Sequence, residues 1–162
     1  MFRRVWILAV ALAVIPAAAH AQGGMIATGI GPRVGFTMDP DQFTFGGQVT
    51  FAEVAPRLSF DPNLEIGFGD HLSVIALNAD LHYHFDTNTT WVPYAGGGLG
   101  INFISFDNDL PNSDDSTTEI GANIIVGVSA PTASGNRFFG EFKFGLGDIP
   151  EAKLMAGWNF KM

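Results

Sequence analysis

Two histidines on one face are the sharpest chemical signal in the chain. His82 and His84 stand at i, i+2, with Asp80 two residues earlier. Residues at that spacing share one side of a strand, and two imidazoles with a carboxylate are a transition-metal donor set. No third ligand stands at a fixed spacing from them, so two polar side chains near the end of a strand are the preferred reading. No metal and no cofactor is expected. His71-Leu72-Ser73 pairs an imidazole with a hydroxyl, as a base and a nucleophile would be paired. No matching acid is evident, and a turn histidine followed by a strand-capping serine accounts for it. The segment 105–117 carries Asp107, Asp109, Asp114 and Asp115 and no base; divalent cations could bridge to it, but a solvated acidic loop is the preferred reading. As an EF-hand it fails, with Asn112 where glycine is needed and Thr118 where glutamate is needed. Gly96-Gly97-Gly98-Leu99-Gly100 has no helix after it, so the dinucleotide-binding reading fails its context test.

The elements that must position these residues are strands. From Leu58 to Phe68 every second residue is apolar (Leu58, Phe60, Pro62, Leu64, Ile66, Phe68), with Ser59, Asp61, Asn63, Glu65 and Gly67 between. Such alternation gives a strand one apolar and one polar face. Eight such segments are predicted, at 25–38, 43–52, 57–68, 72–85, 91–104, 118–129, 137–147 and 152–161. Turn-forming residues separate them, among them Asp39-Pro40-Asp41, Gly69-Asp70, Ser134-Gly135-Asn136 and Asp148-Ile149-Pro150. Short connectors make sequential antiparallel neighbours. The expected fold is all-β, an eight-stranded antiparallel up-and-down transmembrane β-barrel with its apolar face outward. Pro32, Pro62 and Pro93 fall inside predicted strands, where proline removes a ladder donor. Asp61-Pro62-Asn63 read as a turn would change the count of eight.

The first 21 residues have the layout of a signal peptide: Arg3-Arg4, an apolar run from Val5 to Ile15, and Ala19-His20-Ala21 before Gln22. The expected division is a leader over 1–21 and a barrel over 22–162. The whole chain has 8 basic and 16 acidic residues; without Arg3 and Arg4 the basic count is 6 and the formal charge falls from −8 to −10. An acidic chain without a basic cluster argues against nucleic acid. There is no cysteine, and a closed ladder needs no disulfide.

Trp91-Val92-Pro93-Tyr94-Ala95-Gly96-Gly97-Gly98-Leu99-Gly100 resembles the W-x-P-Y-x-G-x-G-x-G strand of small outer-membrane β-barrel proteins, the OmpA transmembrane domain, OmpX and OmpW-like group. Gly157-Trp158-Asn159-Phe160 resembles their final strand. The family usually ends on an aromatic residue, whereas this chain ends Phe160-Lys161-Met162. The resemblance implies residence in the cell outer membrane, contact with its lipid and lipopolysaccharide, and handling by periplasmic chaperones and the outer-membrane assembly machinery. A monomer is expected.

Strand parity then assigns sides. Arg33, Lys143 and Lys153 are predicted to face Glu65, Asp80, Glu119 and Glu141 inside the barrel, with His82 and His84 toward one mouth. An eight-stranded barrel is just wide enough for side chains to fill it, so these charges are expected to plug the lumen as a structural network. Tyr83, Phe85, Trp91, Tyr94, Trp158 and Phe160 are expected to form an aromatic belt at the rim that carries the termini. No catalytic residue is expected, and the role is read as structural or as surface interaction. Three alternatives stand beside it. The first is an OmpW-like channel for small apolar molecules. The second is a barrel enzyme, since the lipid A 3-O-deacylases are similar eight-stranded barrels with a His-Ser pair. The third is a secreted lipocalin-like binder, which needs the inverse arrangement of faces.

Overall fold

The computed structural model describes residues 26–70, 72–106 and 116–162. Eight strands follow one another along the chain: β1 (Ile26–Met38), β2 (Gln42–Ala55), β3 (Leu58–Gly69), β4 (Leu72–His84), β5 (Val92–Phe106), β6 (Ser116–Pro131), β7 (Arg137–Gly147) and β8 (Ala152–Lys161). Each pairs antiparallel with the next, and β8 closes on β1. Closure pairs the last strand edge, so no backbone row is left as a template for aggregation. The beginning of β1 and the end of β8 share one end of the barrel, here the terminal end, with the connectors at 56–57, 85–91 and 132–136. The connectors at 39–41 and 148–151, with the ends of β3 and β5 and the starts of β4 and β6, belong to the opposite, loop end. The predicted leader over 1–21, His71 and the acidic stretch 107–115 lie outside the described residues.

Pro62 stays in β3, opposite Ala79 of β4. The β2–β3 register runs from Gln48↔Asn63 to Phe51↔Phe60 without a pair at Pro62. A side-chain bond bridges that gap: Thr50 Oγ1 donates to Asp61 Oδ1 at 2.6 Å. The missing ladder donor is tolerated there, and the strand count is eight.

The alternation sorts side chains as a lipid-facing barrel requires. Val34, Phe43, Phe68, Leu81, Leu99, Ile120, Phe144 and Leu154 are exposed, one from each strand. Among the described residues, eighteen of the buried side chains are polar or charged and eight are apolar. A water-soluble binding barrel has the opposite sorting, so the lipocalin-like reading is set aside.

Two aromatic rings enter the lumen against glycines on the neighbouring strand. Tyr94 pairs with Gly127, where a Cβ would come within 2.3 Å of the ring. Phe139 pairs with Gly157, where a Cβ would meet its ring at 2.4 Å. On the outer wall Gly140 has open space, with nothing within 4 Å of a built Cβ. Gly127→Ala is expected to force Tyr94 out of its seat and destabilise the barrel by about 1–3 kcal/mol, the usual cost of overpacking. Gly140→Ala is expected to change stability by less than about 0.5 kcal/mol, as surface substitutions do. Urea unfolding of the two variants in detergent micelles checks the contrast.

Candidate functional site in the charge-filled lumen

Three cations and three carboxylates converge in the middle of the barrel. Arg33 of β1 is 1 % exposed and reaches in three directions. Its Nη1 donates to Gln48 Oε1 of β2 at 2.9 Å, its Nη2 is paired with Glu141 Oε1 of β7, and its Nε lies 3.2 Å from Glu65 Oε1 of β3. Lys143 of β7 donates to Asp80 Oδ2 of β4 at 2.5 Å and stands 3.6 Å from Glu65 and 3.8 Å from Glu141. Lys153 of β8 donates to the other oxygen of Glu65 at 2.9 Å. Tyr94 of β5 donates its hydroxyl to Glu141 Oε2 at 2.9 Å. Every strand but β6 therefore contributes a polar group. Stripping hydration from an ion costs several kcal/mol, which only close opposite charges and hydrogen bonds offset. The three-to-three balance with shared partners meets that condition in charge, while Arg33 Nε, Glu65 Oε1 and Asp80 Oδ1 are left without a hydrogen-bond partner.

A second cluster continues the plug toward the terminal end around Asp61. Asp61 accepts from Thr50, from Ser59 Oγ at 2.5 Å and from His82 Nδ1 at 3.2 Å. Asn63 links the two clusters, donating to Asp80 Oδ2 at 2.7 Å while accepting from Asn78 at 2.9 Å. Gln48 donates to Asn159 at 3.0 Å, and Asn159 donates to Thr50 at 3.1 Å. His82 also lies against the Tyr94 ring, with centroids 4.8 Å apart.

This cluster contains serine, histidine and aspartate, but not in catalytic order. His84 Nε2 is 3.0 Å from Ser59 Oγ. The serine proton is already given to Asp61, so the imidazole at this contact is the donor. A general base must accept the nucleophile's proton and be oriented by an acid on its other nitrogen. Ser73, half of the other candidate pair, follows the outward parity of Ile75 and Leu77, opposite Phe68 and Ser105. Among the described residues no group of three His, Asp or Glu side chains could hold a metal ion.

Of the predicted lumen residues, the structure brings together Arg33, Glu65, Asp80, Glu141, Lys143 and Lys153, with His82 and His84 in the adjoining cluster. Glu119 stays outside: it sits half-buried near the loop end, opposite Asn102, while the three lumen cations are taken by the other carboxylates. Tyr83, Phe85, Trp91 and Phe160 are exposed around the terminal end, and Trp158 packs edge-on against Phe138 with centroids 6.1 Å apart. Tyr94 requires correction. It is 4 % exposed and points inward. Leu99, Ile101 and Phe103 are exposed, so even-numbered residues of β5 face the lumen and Tyr94 shares that side with Gly96, Gly98 and Gly100.

No family model matches the sequence, and a comparison with curated proteins gives no match. Solved structures do match. Neisserial surface protein A, NspA, superposes with a TM-score of 0.66 at 18% identity, over 83% of this chain and 96% of its own. The N-terminal β-barrel domain of Pseudomonas aeruginosa OprF gives 0.66 at 20% identity, over 85% and 100%. The Yersinia pestis outer membrane protein Ail, in a phospholipid bilayer nanodisc, gives 0.50 at 11%, over 83% and 99%.

Because each lumen ion has partners on other strands, Arg33→Met is expected to leave Glu141 and Glu65 undercompensated and to cost about 3–5 kcal/mol. Tyr94→Phe removes one bond to a carboxylate and is expected to cost about 1.5–3 kcal/mol. Denaturant titration in micelles measures both. The fold that carries this site is that of the small eight-stranded outer-membrane barrels.

Proposed function

We propose that the chain is a non-enzymatic integral protein of the bacterial outer membrane with a closed lumen, acting in envelope structure or in surface interaction through its loop end. One observation carries the reading: the sides are inverted, with an apolar exterior around three buried cations paired with Glu65, Asp80 and Glu141, and with Asp61 held by Thr50, Ser59 and His82. An apolar band on the outside of a closed barrel needs hydrocarbon around it. Ions bound to each other across the lumen fill its middle with paired polar groups, which weighs against a channel for small apolar molecules of the OmpW-like kind. The hydroxyl of Ser59 is bound to a carboxylate and, among the described residues, no lumen histidine is placed as its base, which weighs against an enzyme.

The predicted leader and the even strand count put both termini in the periplasm. The loop end then faces outward, toward the lipopolysaccharide surface. Tyr83, Trp91 and Trp158 sit at the inner interface, where amphipathic rings are favoured. Lipid and lipopolysaccharide are the partners of the outer wall, and the assembly machinery and its chaperones handle the unfolded chain. The monomer is the working unit, since closure leaves no unpaired strand.

Electrophoresis of detergent-solubilised membranes with and without boiling tests the membrane barrel. The unboiled protein is expected to migrate differently from the boiled one. Recovery in the soluble periplasmic fraction with no such shift would overturn the reading. In planar bilayers the protein is expected to give no steady conductance, and a sustained open current would contradict the closed lumen.

A further inference from the structure

Asp148-Ile149-Pro150-Glu151 joins β7 to β8 at the loop end, and its composition reads as an exposed turn. Its middle does not stay outside. Asp148 and Glu151 are exposed, but Ile149 and Pro150 are buried, Ile149 to 7 % exposure. The seat for the pair is made by two glycines on the inward faces of β6 and β7. A Cβ on Gly121 would lie 2.8 Å from two side-chain carbons of Ile149. A Cβ on Gly145 would lie 3.0 Å from Ile149 and 2.1 Å from the Pro150 carbonyl oxygen. Gly147, at φ 96°, bends the chain back toward the mouth. The Gly145 N–H donates to the Glu151 carbonyl at 2.9 Å and holds the far end of the connector.

Directly beneath Pro150 lies the loop-side edge of the ion network. A cavity of about 10 Å³ there is bordered by Pro150, Thr37, Gln42, Thr44, Glu65 and Lys153. That is room for a single water. The two mouths of the barrel thus differ in chemistry. The terminal end is closed by polar side chains in partial contact with solvent, His84, Asn159 and Arg137. Among the described residues, the loop end is closed by an apolar wedge on a glycine seat.

We propose that Ile149 and Pro150 form a displaceable stopper that keeps loop-side solvent away from the Lys153–Glu65 pair and the network below it. The proposal rests on the closed-lumen reading and adds where, and by which residues, the loop end is sealed. A wedge of four residues, tied by one backbone bond and anchored by van der Waals contact, opens at lower cost than the strands around it, since connectors lie at the low end of local stability. Polar groups that are buried beneath it stay dry only while it is seated.

The chain has no cysteine, so Thr44→Cys places a unique thiol on the wall of the cavity under Pro150. Reaction with the small cationic reagent methanethiosulfonate ethylammonium, on the folded full chain in micelles, reads access to that wall. With the stopper intact the thiol is expected to react slowly. Adding Ile149→Gly and Pro150→Gly is expected to speed modification at least about tenfold, equivalent to about 1.4 kcal/mol of lost local closing free energy. The milder Ile149→Ser is expected to give an intermediate rate, and it carries the test if the double glycine variant does not show the heat-dependent gel shift of the folded barrel. Fast modification with the stopper intact, or a rate unchanged by its removal, would overturn the proposal. Steady conductance of the unaltered barrel would instead count against the closed lumen, and the thiol rates would still decide the stopper.

Discussion

Charge in a closed ring must be neutral and shared. That constraint organises the rest of this barrel. Arg33, Lys143 and Lys153 come from β1, β7 and β8, while Glu65, Asp80 and Glu141 come from β3, β4 and β7. No single hairpin holds a balanced set, so the network becomes neutral only when the first and last strands meet. Closure by the backbone ladder and closure by the lumen charges are therefore coupled. A barrel opened between β1 and β8 would separate Lys153 from Glu65 as well as breaking hydrogen bonds. Buried ion pairs are poor sources of net stability but strong penalties against mispairing. In this chain they act against register slips, because a slip of one residue would turn the inward charges of that strand to the outer wall.

The space for that network is set by small residues on the same face. Gly127 and Gly157 let Tyr94 and Phe139 lie flat inside the wall, and Arg33 stands over the Phe139 ring at 5.7 Å from its centroid. The aromatic rings fill volume that ions cannot fill without water, and the Tyr94 hydroxyl supplies the remaining bond to Glu141. Large and small inward residues face each other across strand pairs, which is how a narrow barrel reaches interior packing density. Beyond the network the lumen changes character along its axis. Asp61 gathers three donors toward the terminal end, whereas the loop half sets Val74, Ala76, Met155 and Ile149 among the buried polar side chains Thr37, Gln42, Thr44 and Asn102.

Much of this was legible in the sequence because a strand has a period of two and a barrel gives each parity one environment. Alternation at Leu58–Phe68 assigned Glu65 and Asp61 to the inside, and the same rule placed Arg33, Asp80, Glu141, Lys143 and Lys153. What escaped was of two kinds. Inward apolar residues such as Ile125 and Phe139 look like wall residues by type, and only their parity gives them away. Tyr94 is the plain case: the Trp91-x-Pro93-Tyr94 motif draws attention to the rim, but Leu99, Ile101 and Phe103 already fix the even face as the lumen. The second kind has no periodic signal at all. Nothing in Asp148-Ile149-Pro150-Glu151 marks the connector as folding inward; that follows from Gly121 and Gly145, which leave room for it only after β6 and β7 are paired. Pro62 is similar, since its cost depends on a Thr50–Asp61 bond that links two strands.

The buried ions hold one another across the lumen rather than sitting near each other by default. A double-mutant cycle on Lys143→Met and Asp80→Leu, read by denaturant unfolding in lipid or detergent, tests it most directly. The 2.5 Å contact between a β7 cation and a β4 carboxylate predicts strong coupling. The double variant should be more stable than the sum of the single losses allows by about 1.5–3 kcal/mol, because each single change strands a buried charge. Additivity within about 0.5 kcal/mol would show that the pair does not interact as described and would contradict the account.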